Sequence, residues 1–86
     1  MEFGVDTHKK LHVVVALDER GRVRGRQTIP NTPEGWVTAL TWACGLSEER
    51  LWGIENSGSL GKGFAQFLLS RSEGTVCEVS PQRTAH

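Results

Sequence analysis

Features that would assign this chain to a well-defined class are missing from its 86 residues. Its two cysteines, Cys44 and Cys77, form no C-x-x-C pair, and no histidine is spaced to complete a zinc set. No apolar run approaches the roughly 18–20 residues of a membrane helix, and the N-terminus lacks the charged-then-apolar order of a signal peptide. We therefore expect an intracellular, cytoplasmic protein with buried or free thiols.

A net charge is also missing, because ten basic and ten acidic residues cancel. The whole chain thus gives no electrostatic sign of a nucleic-acid partner. The first 29 residues nevertheless carry six basic against four acidic residues. Such a basic hairpin could contact phosphates, or its charges could protect an exposed edge strand from aggregation. Composition otherwise resembles that of a small soluble globular domain.

Three antiparallel strands are the simplest interpretation of residues 2–29. Phe3–Asp6 is a short apolar run that ends in a carboxylate, and Leu11–Leu17 is rich in β-branched residues. The turn Asp18–Gly21 then predicts a hairpin into a strand over Val23–Ile29, which Pro30 ends.

The next segment predicts a helix that packs on this sheet. Thr32 is a suitable N-cap, with Pro33 at the first helical position and Glu34 in the first turn. Gly45 is placed as a C-terminal glycine cap. One apolar stripe is predicted from helical spacing, formed by Trp36, Val37, Leu40, Ala43 and Cys44.

A β-α-β unit follows. Leu51–Glu55 is a fourth strand that again ends in a carboxylate, residues 62–71 form a helix, and residues 75–79 form a fifth strand. Strands separated by a helix should be parallel and joined by right-handed crossovers. We therefore predict an α/β fold with a mixed five-stranded sheet of order 3-2-1-4-5 and helices packed on it.

This order makes strands 1 and 4 neighbours and brings Asp6 and Glu55 to adjacent carboxyl ends, where open α/β sheets bind ligands. Two carboxylates held close repel each other unless a proton or a cation lies between them. Mg²⁺ and Mn²⁺ prefer oxygen ligands, so a metal shared by Asp6 and Glu55 is one interpretation. The alternative is that both acids are simply solvated.

Three further motifs have ordinary structural explanations. The loop 58–63 departs from the Walker pattern and could instead be a tight strand-to-helix turn. His8 and His12 straddle a turn rather than one helix face, which disfavours a shared metal. The three tryptophans are typical of a core, although Trp42 lies off the predicted stripe and could be exposed.

Taken together, the motifs resemble the N-terminal segment of bacterial insertion-sequence transposases of the DEDD type, the insertion sequence one-ten family. The resemblance runs nearly end to end. The stretches that carry it are GVDTHKKLH at 4–12, ALDERGRV at 16–23, NTPEGW at 31–36, GIENSGSLG at 53–61 and EVSP at 78–81.

The resemblance implies an RNase H-like, RuvC-like domain that cleaves and joins DNA during transposition. Such a domain holds four acidic residues, of which Asp6 and Glu55 match the first two, with Mg²⁺ or Mn²⁺ as the expected cofactor. The other two lie on a later helix, so we expect residues 1–86 to be one truncated domain that is inactive alone. DNA is the implied partner, with a guide RNA encoded by the element and a homo-oligomer as further partners. Lys9, Lys10 and Lys62 are candidate nucleic-acid contacts, or solvated turn residues.

Two alternatives stay open at this stage. An RNase H-like nucleotide- or sugar-phosphate-binding module of the actin-like ATPase type would expect glycines and hydroxyls after Asp6, where the sequence has Thr7, His8, Lys9 and Lys10. The second alternative is an inactive remnant that folds only as a structural domain. Its sequence would still indicate the function of the protein from which it derives.

Overall fold

A computed structural model describes residues 1–55, 59–71, 73 and 76–79. Its elements follow the order βββαβαβ, as the sequence predicts. They are β1 (Glu2–Thr7), β2 (Leu11–Leu17), β3 (Val23–Pro30), α1 (Pro33–Leu46), β4 (Leu51–Glu55), α2 (Lys62–Ser70) and β5 (Val76–Val79).

The strands form one mixed sheet of order β3-β2-β1-β4-β5, which confirms the predicted topology. β1 pairs antiparallel with β2, and β2 pairs antiparallel with β3. β4 pairs parallel with β1 on one side and with β5 on the other. The hairpin between β2 and β3 turns at Gly21, whose φ of 79° lies in the left-handed region that glycine adopts readily.

Both helices pack on the same face of the sheet and enclose a single hydrophobic core. The central strands contribute alternate residues to this core, and the helices contribute small or aromatic ones. Its fully or almost fully buried members are Phe3, Val5, Val14, Ala16, Ile29, Ala39, Ala43, Trp52, Ile54, Phe64 and Leu68. We call this side of the sheet the helix face and the other side the open face.

Helix α1 begins as predicted. The Thr32 hydroxyl accepts a hydrogen bond from the backbone N–H of Gly35 at 3.2 Å, and Pro33 occupies the first turn. Gly35 is buried there, and a Cβ at this position would overlap the carbonyl oxygen of Pro30. The entry into the helix therefore depends on glycine as well as on the cap.

The predicted end of α1 is wrong. The helix continues through Gly45 to Leu46, and Ser47 caps it in an extended conformation with its N–H bound to the Ala43 carbonyl. The Arg50 guanidinium donates to the carbonyl of Ser47 at 2.7 Å, which holds the chain as it leaves the helix. An arginine four residues beyond the helix thus replaces the expected glycine cap.

The predicted buried stripe of α1 is also partly wrong. Ala39 and Ala43 are buried, whereas Val37 and Cys44 are exposed. Trp42 packs against the core and meets the ring of Phe3 edge-on at 6.0 Å between centroids. It has room to do so because β3 carries Gly25, where a Cβ would lie 2.9 Å from the Trp42 ring.

In the described part of the chain, no helix has the length and apolar character needed to cross a membrane.

Candidate active site

The parallel pairing of β1 with β4 brings the two predicted acids together. Glu2 pairs with Leu51 and the register continues to Val5 and Ile54. Asp6 on β1 and Glu55 on β4 are the next residues of these two strands. Both lie at the carboxyl ends of neighbouring strands, where the winding of the sheet reverses.

Burial along these strands shows that the two acids share the open face. Val5 and Ile54 are buried against the helices, while Asp6 is exposed and Glu55 is half-buried. Because side chains alternate between the faces of a strand, Asp6 and Glu55 project away from the helices on the same side of the sheet. Gly4 and Gly53 precede them on that face, and a Cβ at Gly4 would meet nothing within 4 Å.

His8, two residues after Asp6, contacts its carboxylate. Its Nε2 lies 3.3 Å from the Asp6 carboxylate, and both side chains are 58% exposed. An ion pair this exposed contributes little to stability because water screens it. Its effect is local, because the imidazole contacts one carboxylate oxygen of Asp6, the candidate metal ligand.

Two contacts describe how the strand ends are linked and covered. The Thr7 hydroxyl donates to the carbonyl of Glu55 at 3.3 Å and so links the two carboxyl ends directly. Gly61 sits against them, and a Cβ there would lie 2.7 Å from Ile54 and 2.9 Å from Thr7. Residues 59–61 therefore pack closely on the end of the sheet that carries the acids. The beginning of the glycine-rich loop, 56–58, lies outside the described residues.

The three candidate lysines surround the same end of the sheet. Lys9 and Lys10 are exposed in the turn between β1 and β2, and Lys62 is exposed at the start of α2. The Asn31 side-chain amide contacts the carbonyls of both Lys9 and Leu60, which ties this turn to the segment before Lys62. The three lysines thus belong to segments at the end of the sheet that carries the acids.

His12 lies one strand away from the acids but on the helix face. It is fully buried opposite Thr7, with its ring 5.9 Å from that of Phe64. Its Nδ1 is 2.9 Å from the Leu11 carbonyl, whereas its Nε2 has no hydrogen-bond partner among the described residues. Burial lowers the pKa of His12, and the Leu11 carbonyl and the Asn31 side chain only partly oppose this. His12 is thus buried in the core while His8 is exposed, which disfavours a metal shared by the two histidines.

The donor set at the strand ends fits a hard divalent cation only in part. Carboxylate oxygens are the ligands that Mg²⁺ and Mn²⁺ prefer. Within the described residues, however, no three His, Cys, Asp or Glu side chains form a group that could hold a metal ion. Asp6 and Glu55 therefore supply fewer ligands than an octahedral ion needs, and the rest of the coordination sphere must come from water or from another segment.

A family model described as "Transposase", that of the DEDD domain of the insertion sequence one-ten (IS110) type, matches residues 3–86. The chain belongs to this transposase family. The resemblance inferred from its sequence motifs is thereby confirmed, and the five-stranded sheet agrees with part of a RuvC-like domain. Among curated proteins, no sequence matches the chain.

Sequence reasoning about this transposase domain missed two side-chain networks. Asn31 at the end of β3 connects segments distant in sequence, and its only signal was its place before the helix cap in N-T-P-E-G-W. Glu73 is 8% exposed and accepts hydrogen bonds from the Arg50 guanidinium at 2.7 and 2.9 Å and from the Trp52 indole at 2.9 Å. The guanidinium lowers the pKa of Glu73, so this buried carboxylate is a structural acid.

Proposed function

We propose that this chain forms part of a transposase nuclease domain in which Asp6 and Glu55 bind Mg²⁺ or Mn²⁺ for phosphoryl transfer on DNA. The observation that supports the proposal is the parallel β1–β4 register, which runs to Val5 and Ile54, the residues directly before Asp6 and Glu55, at the point where the winding reverses. A divalent ion bound there would neutralise charge that develops on a phosphodiester during strand cleavage.

The two acids form half of the proposed site. Paired metal ions need more oxygen ligands than Asp6 and Glu55 provide, which agrees with the four acidic residues of the family. We propose that the other two carboxylates come from a segment that packs on the open face. Val13, Val15 and Leu17 of β2 lie on that face and are only partly covered, so it offers apolar contact for such a segment.

The basic residues around the acids have a complementary role in this proposal. Lys9, Lys10 and Lys62 would bind phosphates of the DNA strand next to the bond that is cleaved. These are contacts to the backbone, so they would not read the base sequence. We propose that an element-encoded guide RNA supplies sequence recognition by base pairing, and that the complete protein acts as a homo-oligomer.

The test is a Mn²⁺ titration of the chain followed by NMR. A paramagnetic ion at the proposed site should broaden resonances at the carboxyl ends of β1 and β4 first. Asp6→Asn and Glu55→Gln should each remove this local broadening. Glu2→Gln is the matched control, because Glu2 lies on the same strand and the same open face but at the opposite end of the sheet.

Broadening that is unaffected by Asp6→Asn, or that Glu2→Gln removes equally, would contradict the proposal. Binding should be weak, because Mg²⁺-type ions keep most of their water when only two carboxylates are available. For the same reason the purified 86-residue chain should not nick DNA in Mg²⁺ or Mn²⁺. Nicking abolished by Asp6→Asn would show that the two acids suffice.

A further inference from the structure

Among the described residues, the Asn31 side chain forms three hydrogen bonds, and two of them reach segments that follow the acids. Its Nδ2 donates to the carbonyl of Lys9 at 3.3 Å and to that of Leu60 at 3.4 Å. Its Oδ1 accepts from the indole Nε1 of Trp36 at 3.1 Å. The backbone N–H of Asn31 also donates to the Lys10 carbonyl at 2.9 Å.

The chemistry of these partners fixes the orientation of the Asn31 amide. A tryptophan indole can only donate, so the atom that faces Trp36 must be the carbonyl oxygen of Asn31. The amide nitrogen then faces two backbone carbonyls, which can only accept, and each of its two hydrogens has one acceptor. No other rotation of the amide satisfies all three partners.

The two carbonyls belong to the segments that follow the two acids along the chain. Lys9 is in the turn that follows Asp6, and Leu60 is in the loop that follows Glu55. The β1–β4 ladder runs as far as Val5 and Ile54, and the Thr7 hydroxyl then links the strand ends. Beyond that link, Asn31 joins the two outgoing segments to each other and, through Trp36, to helix α1.

We propose that Asn31 is a positioning residue of the metal site: its side chain ties the turn after Asp6 to the loop after Glu55 and so holds the two carboxylates in place. The same contacts hold Lys9 and Lys62 at one end of the sheet, where they face one phosphate backbone. This inference rests on the proposed function, in which Asp6 and Glu55 bind the metal. Asn31 itself touches neither metal nor DNA in this scheme.

The first arm of the test uses hydrogen exchange to distinguish the role of the Asn31 side-chain oxygen from that of its nitrogen. Asn31→Asp keeps an oxygen for the Trp36 indole but has no N–H for Lys9 and Leu60, whereas Asn31→Ala removes both functions. In both variants the amides of His8 and Lys62 should exchange about tenfold faster relative to the core amides of Val14 and Ile54. The indole N–H resonance of Trp36 should move in Asn31→Ala and stay close to its wild-type position in Asn31→Asp. Thr28→Ala, three residues earlier on β3 and exposed on the open face, should change neither signal.

The second arm measures Mn²⁺ binding and compares wild type with the neutral variant Asn31→Ala. Affinity at the acids should fall about three- to tenfold, as when residues that orient metal ligands are removed. Unchanged relative exchange at His8 and Lys62 would overturn the link between the two segments. Faster exchange with unchanged Mn²⁺ affinity would overturn the positioning role.

A failure of the proposed function looks different from either result. In that case Mn²⁺ broadening in the wild type would not depend on Asp6 or Glu55 at all. Asn31 would then have no site to position, and this inference would fall with the proposed function. The exchange arm would still decide whether Asn31 joins the turn to the loop.

Discussion

On the helix face of β1 and β4, Phe3 and Trp52 are fully buried and stack at 4.9 Å between ring centroids. On the open face of the same two strands, Asp6 and Glu55 remain in contact with water. Successive residues therefore serve different purposes, because alternate side chains of a strand face opposite sides of the sheet. The comparison indicates that substitutions on the helix face test folding, whereas those on the open face test the candidate site.

The largest expected effect comes from truncating the core. Trp52→Ala should lower the free energy of unfolding by about 3–5 kcal/mol, because it leaves a cavity beside Phe3 and Phe64 and removes an indole hydrogen bond. Val15→Ala, half-buried on the open face, should cost only about 1 kcal/mol. Urea unfolding followed by circular dichroism measures both. Equal losses would show that the open face is packed as tightly as the helix face.

Two glutamates that differ in burial, Glu73 and Glu49, extend the comparison. Glu73→Gln should cost about 2 kcal/mol, because the partly buried Arg50 guanidinium loses its charged hydrogen-bond partner. The pKa of Glu73 is lowered in the fold, so its contribution is complete above the usual carboxyl pKa and is lost as pH falls through the folded value. Glu49→Gln, with an exposed side chain, is the control and should change urea stability little at any pH. A Glu73→Gln variant as stable as wild type at pH 7 would contradict this account.

A smaller effect is expected from His12. Burial lowers its pKa in the folded chain, so the unfolded chain binds the proton more readily. The contribution of His12 to stability should therefore be complete above about pH 6.5, the ordinary histidine pKa, and should decline as pH falls from there toward the folded pKa. Thermal melts of wild type between pH 8 and pH 5 should show this decline, and His12→Leu should flatten it. A wild-type melting temperature that is constant over this range would mean that His12 is not held neutral.

The smallest effect should come from the open-face acids. Glu55→Gln should leave the free energy of unfolding within about 0.5 kcal/mol of wild type or raise it slightly, because it removes the repulsion between like charges. The Thr7 hydroxyl bonds the backbone of Glu55, so this link survives the substitution. Metal-free thermal melts provide the measurement. A clear loss of stability would instead make the Glu55 side chain a structural hydrogen-bonding group.

Much of the fold was predictable because local patterns and topology rules agree. β-Branched runs, the turn at Asp18–Gly21 and the Thr32–Pro33 cap predicted the elements, and the two helical crossovers then left few possible strand orders. The same order predicted that Asp6 and Glu55 would meet. The separation of their carboxyl groups, expected to be roughly 4–8 Å, stays a prediction.

The rest depended on contacts between residues distant in sequence. Helical spacing could not reveal that Gly25 on another strand makes room for Trp42, so the buried side of α1 was misplaced. Gly45 resembles a cap locally, yet Arg50 holds the helix end from outside. Asn31 contacts Lys9 and Leu60, and Glu73 contacts Arg50 and Trp52. Each of these partners is more than 20 residues away in the sequence, so no local pattern encodes the pairs.

The two free cysteines lie on opposite sides of the molecule. Cys77 pairs in register with Gly53 and is exposed on the open face, two strands from Gly4, whereas Cys44 is exposed on helix α1. The chain thus carries one thiol reporter on each side. Any segment, oligomer partner or nucleic acid that covers the open face should slow alkylation of Cys77, while the alkylation rate of Cys44 serves as an internal reference. Mass spectrometry of the native sequence can therefore follow the assembly of the site without introducing a label.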